Sequence, residues 1–151
     1  MTLQQITSDR FIPETGHRIL VQVPEQDSDR ILAAIIGQDL MTYGDYDQVS
    51  FSTKGIQRFR ATGEGYNAAT ESTVEVPCVE LSVFTCAEPE QLAQIITDIY
   101  AAHPYEEPVI QVVPALRTRH RRGMDEDNPN RFWNRKTADW VPQSHRRSNS
   151  G

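Results

Sequence analysis

Twice along this chain an alternating apolar run is followed by apolar residues at helical spacing, and that repeat restricts the fold more than any other feature. His17-Arg18-Ile19-Leu20-Val21-Gln22-Val23 alternates as a half-buried strand does and stops at Pro24. Gln26-Asp27-Ser28 can open a helix, and Ile31, Leu32, Ile35, Ile36 and Leu40 then fall on one helical face. The second round begins with Val74 to Thr85, which places Val79, Leu81 and Val83 on one side of a strand. Pro89 suits a first helical turn, where its missing N–H is harmless, and Leu92, Ile95, Ile96 and Ile99 supply the stripe. This helix should end at His103, because the residue before Pro104 is pushed out of the α region. Val109 to Val113 reads as a last strand ending at Pro114.

Between the two rounds, Gly44 marks a turn and Tyr46 to Thr53 is β-rich. Lys54-Gly55 reads as a turn, Gln57 to Ala61 as a short returning strand, and the stretch from Gly63 to Thr73 as a flexible loop. Strand, helix, strand pair, strand, helix, strand predicts an α+β fold: a ferredoxin-like βαββαβ sandwich over residues 17–116 with an antiparallel sheet and an extra hairpin. Residues 1–16 read as an irregular N-terminal segment, and 117–151 as an irregular, basic tail whose large apolar residues are Phe132, Trp133 and Trp140.

A chain of 151 residues suits one domain with a tail, and its aliphatic content suits a core of modest size. No run approaches the roughly 18 apolar residues of a membrane-crossing helix, and no basic-then-apolar leader opens the sequence. Cys78 and Cys86 lie in one extended stretch about 26 Å apart, too far for a disulfide or a shared metal. A cytoplasmic protein is therefore expected. The net charge of −6 hides a division. From Arg117 onward nine Lys/Arg face four Asp/Glu, whereas residues 1–116 hold six against seventeen. An acidic body repels phosphate backbones, so nucleic acid is not an expected partner; the basic tail suits an acidic surface, its own or a neighbour's.

Two strings carry possible chemistry. In His103-Pro104-Tyr105-Glu106-Glu107-Pro108 two prolines stiffen a short link between helix and strand. His103, Glu106 and Glu107 can ligate a metal or position an acid and a base. The competing reading is a rigid corner in which Tyr105 plugs the core and the glutamates face water or a neighbouring subunit. In the second string, Lys54, Arg58 and Arg60 concentrate positive charge beside Gly63 and Gly65. Arg58 and Arg60 share strand parity, which suits a carboxylate or phosphate ligand. The competing reading pairs these cations with nearby acids. There is no nucleophile–base motif and no Walker or Rossmann pattern. No catalytic residue and no metal ligand is assigned, and no cofactor is indicated.

The strings Gly44-Asp45-Tyr46-Asp47-Gln48-Val49-Ser50-Phe51, Lys54 to Gly65 and His103 to Pro108 together resemble the small domain inserted in YqfO-type (NGG-interacting-factor-like) proteins, itself similar to CutA and PII signalling proteins. The resemblance covers residues 17–116. It implies a ferredoxin-like fold that associates edge to edge as a trimer, and no segment resembles the metal-bearing core of the YqfO type. The PII likeness makes Lys54 to Thr73 the counterpart of a mobile sensing loop.

The expected function is a non-enzymatic oligomeric binding or regulatory module, a homotrimer. It takes a small anion, nucleotide or metabolite at subunit clefts between Lys54, Arg58 and Arg60 on one side and His103, Glu106 and Glu107 on the other. A divalent-metal role, implied by the CutA likeness, and an adaptor role through the tail toward a protein partner are the alternatives.

Overall fold

A computed structural model describes residues 6–135, 140 and 142–145. The expected irregular start at 1–5, and tail positions 136–139, 141 and 146–151, lie outside the described residues.

Alternation decides the sheet. In β1 (Phe11–Val23), Ile19, Val21 and Val23 are fully buried, and Val83, Leu81 and Val79 of β3 (Val74–Thr85) stand directly opposite them. Onto this face pack α1 (Ser28–Ile36) and α2 (Pro89–Ala102), whose Ile31, Ile35, Ile95 and Ile99 complete one core with Met41. Each of these aliphatic side chains contributes about 1.5–3 kcal/mol by leaving water. β2 (Phe51–Phe59) and β4 (Val109–His120) flank the pair in the order β2-β3-β1-β4, with every neighbour antiparallel. This is the expected α+β, ferredoxin-like arrangement. Among the described residues no helix is long and apolar enough to cross a membrane.

The prolines set the limits of α2 as expected. Pro89 occupies its first turn, and His103 is extended at φ −78, ψ 138 before Pro104. α1 is shorter than its stripe: it stops at Gly37, a poor helix former, and the amides of Gln38 and Asp39 both fall on the Ile35 carbonyl at 3.0 Å. Leu40 is therefore outside the helix and exposed.

Four local expectations are corrected. β2 runs unbroken through Lys54-Gly55, which pair with Val79 and Cys78, so the turn there and the extra hairpin it implied are not formed. Tyr46 to Ser50 precede the strand rather than opening it. The turn expected at Gly44 is formed: it spans Tyr43 to Tyr46, whose backbones exchange hydrogen bonds of 2.7 and 3.0 Å around Gly44 at φ 59, a left-handed conformation glycine adopts freely.

The other two corrections concern strand length. β1 begins at Phe11 rather than His17, and β4 continues past Pro114 to His120. Proline is tolerated there because β4 is an edge strand with no ladder on its outer side among the described residues. β3 ends at Thr85 opposite His17, so residues 11–16 and 115–120 project beyond it as a two-stranded ribbon. Charge fastens the ribbon: Arg117 lies opposite Glu14 and donates to its carboxylate at 2.8 Å, while its guanidinium sits 4.1 Å from the Tyr43 ring and 4.2 Å from the Phe84 ring.

Beyond the ribbon the chain folds back on itself. Asp125 is 5% exposed and accepts hydrogen bonds from Arg10 and, at 2.9 Å, from Arg131. Burial pushes its carboxyl up, but the bonds from Arg10, Arg131 and Asn128 outweigh this and hold it below the ordinary 3.8.

Candidate functional site

The face of the sheet opposite the helices carries Gln57 and Phe59 of β2, Val76 of β3 and Val109 of β4. At this end it is bordered by the loop after β2 and by the corner between α2 and β4. These segments enclose a cleft of about 890 Å³. Its polar walls include Arg60, Tyr66, Tyr105, Glu106 and Glu107.

The loop is closed at its base by Thr70, whose N–H donates to the Ala61 carbonyl while its hydroxyl accepts the Ala61 N–H, both at 3.0 Å. At its tip the Tyr66 N–H donates to both Glu106 carboxylate oxygens at 3.2 Å. Gly65 is required for this approach, because a Cβ there would collide with the Glu106 carboxylate. The loop thus already presents a backbone amide to an anion, and the anion is the chain's own.

The corner is built by His103. Its Nε2 lies 2.8 Å from the Gln22 carbonyl and its Nδ1 3.1 Å from the Tyr105 N–H. A carbonyl only accepts and an amide only donates, so Nε2 carries the proton and Nδ1 supplies the lone pair. Both nitrogens are committed to the chain itself, and none is left for a metal. The ring is buried and contacts Tyr105 with centroids 4.9 Å apart. Tyr105 does not join the core under the helices. It lines the cleft, and its hydroxyl is buried with no partner among the described residues. Burial, then the proximity of Cys78 and Asp27, pushes the phenol above its ordinary 10.0.

The six residues singled out in the sequence therefore separate. Arg60, Glu106 and Glu107 meet at the cleft. Lys54 and Arg58 do not: β2 places them on the helix side of the sheet edge, where Lys54 lies 3.4 Å from Glu25 and Arg58 2.9 Å from Glu75. β2 ends at Phe59, so Arg60 leaves the strand register and the parity with Arg58 does not carry over. His103 stands behind the cleft as its support. Tyr66 and Tyr105 were not singled out as ligand-facing; their only sequence signal was proximity to Gly65 and to the two prolines. Among the described residues no three His, Cys, Asp or Glu side chains converge as a metal site requires.

No protein-family model matches the chain. A Mycobacterium tuberculosis protein named GTP cyclohydrolase 1 type 2 homolog is 32% identical over 94 residues, which is 62% of this chain and 24% of that protein. Its Mycobacterium bovis counterpart matches to the same extent. The chain thus spans about a quarter of the length of the curated relatives it matches. Among solved structures, a Bacillus cereus protein related to NIF3 superposes with a TM-score of 0.59 at 21% identity, covering 74% of this chain and 28% of that one. CutA from Synechococcus elongatus superposes with a TM-score of 0.51 at 18% identity, covering 72% of this chain and 86% of that one. The chain therefore has the ferredoxin-like fold shared by CutA and by part of a NIF3-related protein.

Proposed function

We propose that this chain is a non-enzymatic binding module of the CutA/PII-like type. It works in the cytoplasm as a homotrimer and takes a small anionic ligand, a nucleotide or metabolite, in the cleft between Arg60 and the 104–107 corner. The observation that carries the reading is the Tyr66 amide held on the Glu106 carboxylate beside Arg60. An oriented N–H and a guanidinium at one cavity are the donors that carboxylates and phosphates select. A ligand would exchange with Glu106 for the amide and pair with Arg60. The glutamates would then gate entry rather than bind the anion.

Oligomerisation rests on the sheet edges. Among the described residues β2 and β4 both lack a neighbour on one side, and Phe51 and Ile56 of β2 are 69% and 54% exposed. An edge with bare large apolar side chains calls for a cover, and identical copies around a threefold axis supply one. The cyclohydrolase name belongs to proteins about four times longer than the matched segment.

Calorimetric titration with citrate, succinate and malate tests the site. Heat from at least one of them is expected, weakened about tenfold or more in Arg60→Ala and unchanged in Arg58→Ala. Heat that survives Arg60→Ala, or none from any of the three, refutes the proposal.

A further inference from the structure

A second cavity lies at the opposite end of the molecule, between the β1–β4 ribbon, the Tyr43–Tyr46 turn and the segment following β4, with a volume of about 1050 Å³. None of the cleft residues lines it. Its charge is unusual for this acidic chain: Arg119, Arg121, Arg122 and Arg131 line it against the carboxylates of Asp45 and Asp125. Both carboxylates are occupied, Asp45 by Arg122 and Asp125 by Arg10 and Arg131. Arg119 reaches Glu14 only at 3.5 Å, on a carboxylate that Arg117 already holds at 2.8 Å. Arg121 has no carboxylate partner among the described residues.

The apolar wall is aromatic. Phe132 meets Trp133 and Trp140 edge to face, with centroids 5.2 and 5.9 Å apart, and Tyr46 stacks on His145 at 6.0 Å. Trp133 and Trp140 remain 54% and 67% exposed, so they are not acting as core residues. Exposed indoles beside guanidinium groups that have, among the described residues, no carboxylate (Arg121) or only a shared one (Arg119) match a molecule that is flat at one end and anionic at the other. The volume is at the upper end of small-molecule sites, about 300–1,000 Å³.

We propose that this cavity binds a planar aromatic ring system bearing phosphate, a small molecule of the nucleotide class, with the ring on Trp133 and Trp140 and the phosphate on Arg121 and Arg119. The chain holds only these two tryptophans, and both line the cavity, so intrinsic fluorescence reports on this site alone.

The full-length protein is titrated with ADP, with adenosine, with inorganic phosphate and with a short single-stranded oligonucleotide. The expected result is a saturable change in tryptophan emission with ADP, at least tenfold tighter than with adenosine or phosphate alone. Arg121→Ala should weaken it about tenfold, Arg121→Lys less, and Arg60→Ala not at all, which separates this site from the cleft. Arg121 is an exposed surface residue, so its variants keep the fold, which circular dichroism checks. No saturable change, an undiminished response in Arg121→Ala, phosphate binding as tight as ADP, or an oligonucleotide binding more than tenfold tighter than ADP each overturns the proposal.

Discussion

Two glycines meet opposite constraints, and the difference is measurable. A Cβ at Gly16 would collide with the Thr85 carbonyl and stand 2.9 Å from two Phe84 ring atoms, at the point where β3 ends and the ribbon begins. The carbonyl is backbone, so no rotamer relieves the overlap; β1 and β3 must separate, and Phe84 must leave its place beside Arg117. Overpacking of this kind costs about 3 kcal/mol. A Cβ at Gly65 meets only the Glu106 carboxylate, the free end of a flexible side chain. Glu106 swings away and loses the Tyr66 amide, a charge-assisted bond of about 1.5 kcal/mol at an exposed site. Replacing glycine returns about 0.4–1 kcal/mol through the unfolded chain, so the net cost is about 1 kcal/mol or less. Urea unfolding at one fixed protein concentration, with equal slopes checked, compares the two. With the same gain subtracted at Gly16 and a slope of about 1.5 kcal/mol/M, the midpoint should fall by about 1.5 M in Gly16→Ala and by well under 1 M in Gly65→Ala. Equal losses, or a larger loss in Gly65→Ala, refute the described contacts.

His103→Ala leaves the buried Gln22 carbonyl and the Tyr105 amide without their partner, and should cost about 2–4 kcal/mol in urea unfolding; a loss below about 0.5 kcal/mol contradicts the corner's structural role. Tyr105→Phe removes a buried, unpartnered hydroxyl and should raise stability by about 1 kcal/mol, read as a higher melting temperature. Because the folded phenol is raised above 10.0, the unfolded chain ionises first, so stability is level below that pH and falls as pH climbs through the folded value, a loss Tyr105→Phe should not show. Asp125 has the opposite sign: its folded carboxyl is lowered, so its contribution is present above 3.8 and lost as pH falls through the folded value. Tryptophan emission should therefore report the segment after β4 detaching in acid, and Asp125→Asn should already show the detached signal at neutral pH.

The core was legible because its signals are local and periodic. Ile19, Val21 and Val23, the strand face Val79, Leu81 and Val83, and the helix pairs Ile31/Ile35 and Ile95/Ile99 are buried where alternation or helical spacing placed them. Pro89 and Pro104 set the limits of α2 through sterics that need no tertiary context. What escaped depended on place in the sheet. Residues up to 16 read as irregular and Pro114 as a strand end, yet a ribbon and an edge strand run through them; Lys54-Gly55 reads as a turn, yet passes as extended edge strand. Arg117 and Arg119 read as a charge run, because Glu14, the acid that holds them, is remote in sequence. The same holds for Asp125, fastened by Arg10 across 115 positions. Of the candidate ligand residues, Glu106 and Glu107 of the stiff corner and Arg60 just past a strand end line one cleft, while His103 stands behind it. Lys54 and Arg58 do not line it, since their direction followed a strand register that no local signal revealed.

The proposed function rests on sister chains covering the two sheet edges, β2 and β4. Sedimentation equilibrium of the purified chain tests this most directly: the account predicts a single species at three times the 17.2 kDa chain mass. A species at the mass of one chain, persisting as concentration rises, would contradict it.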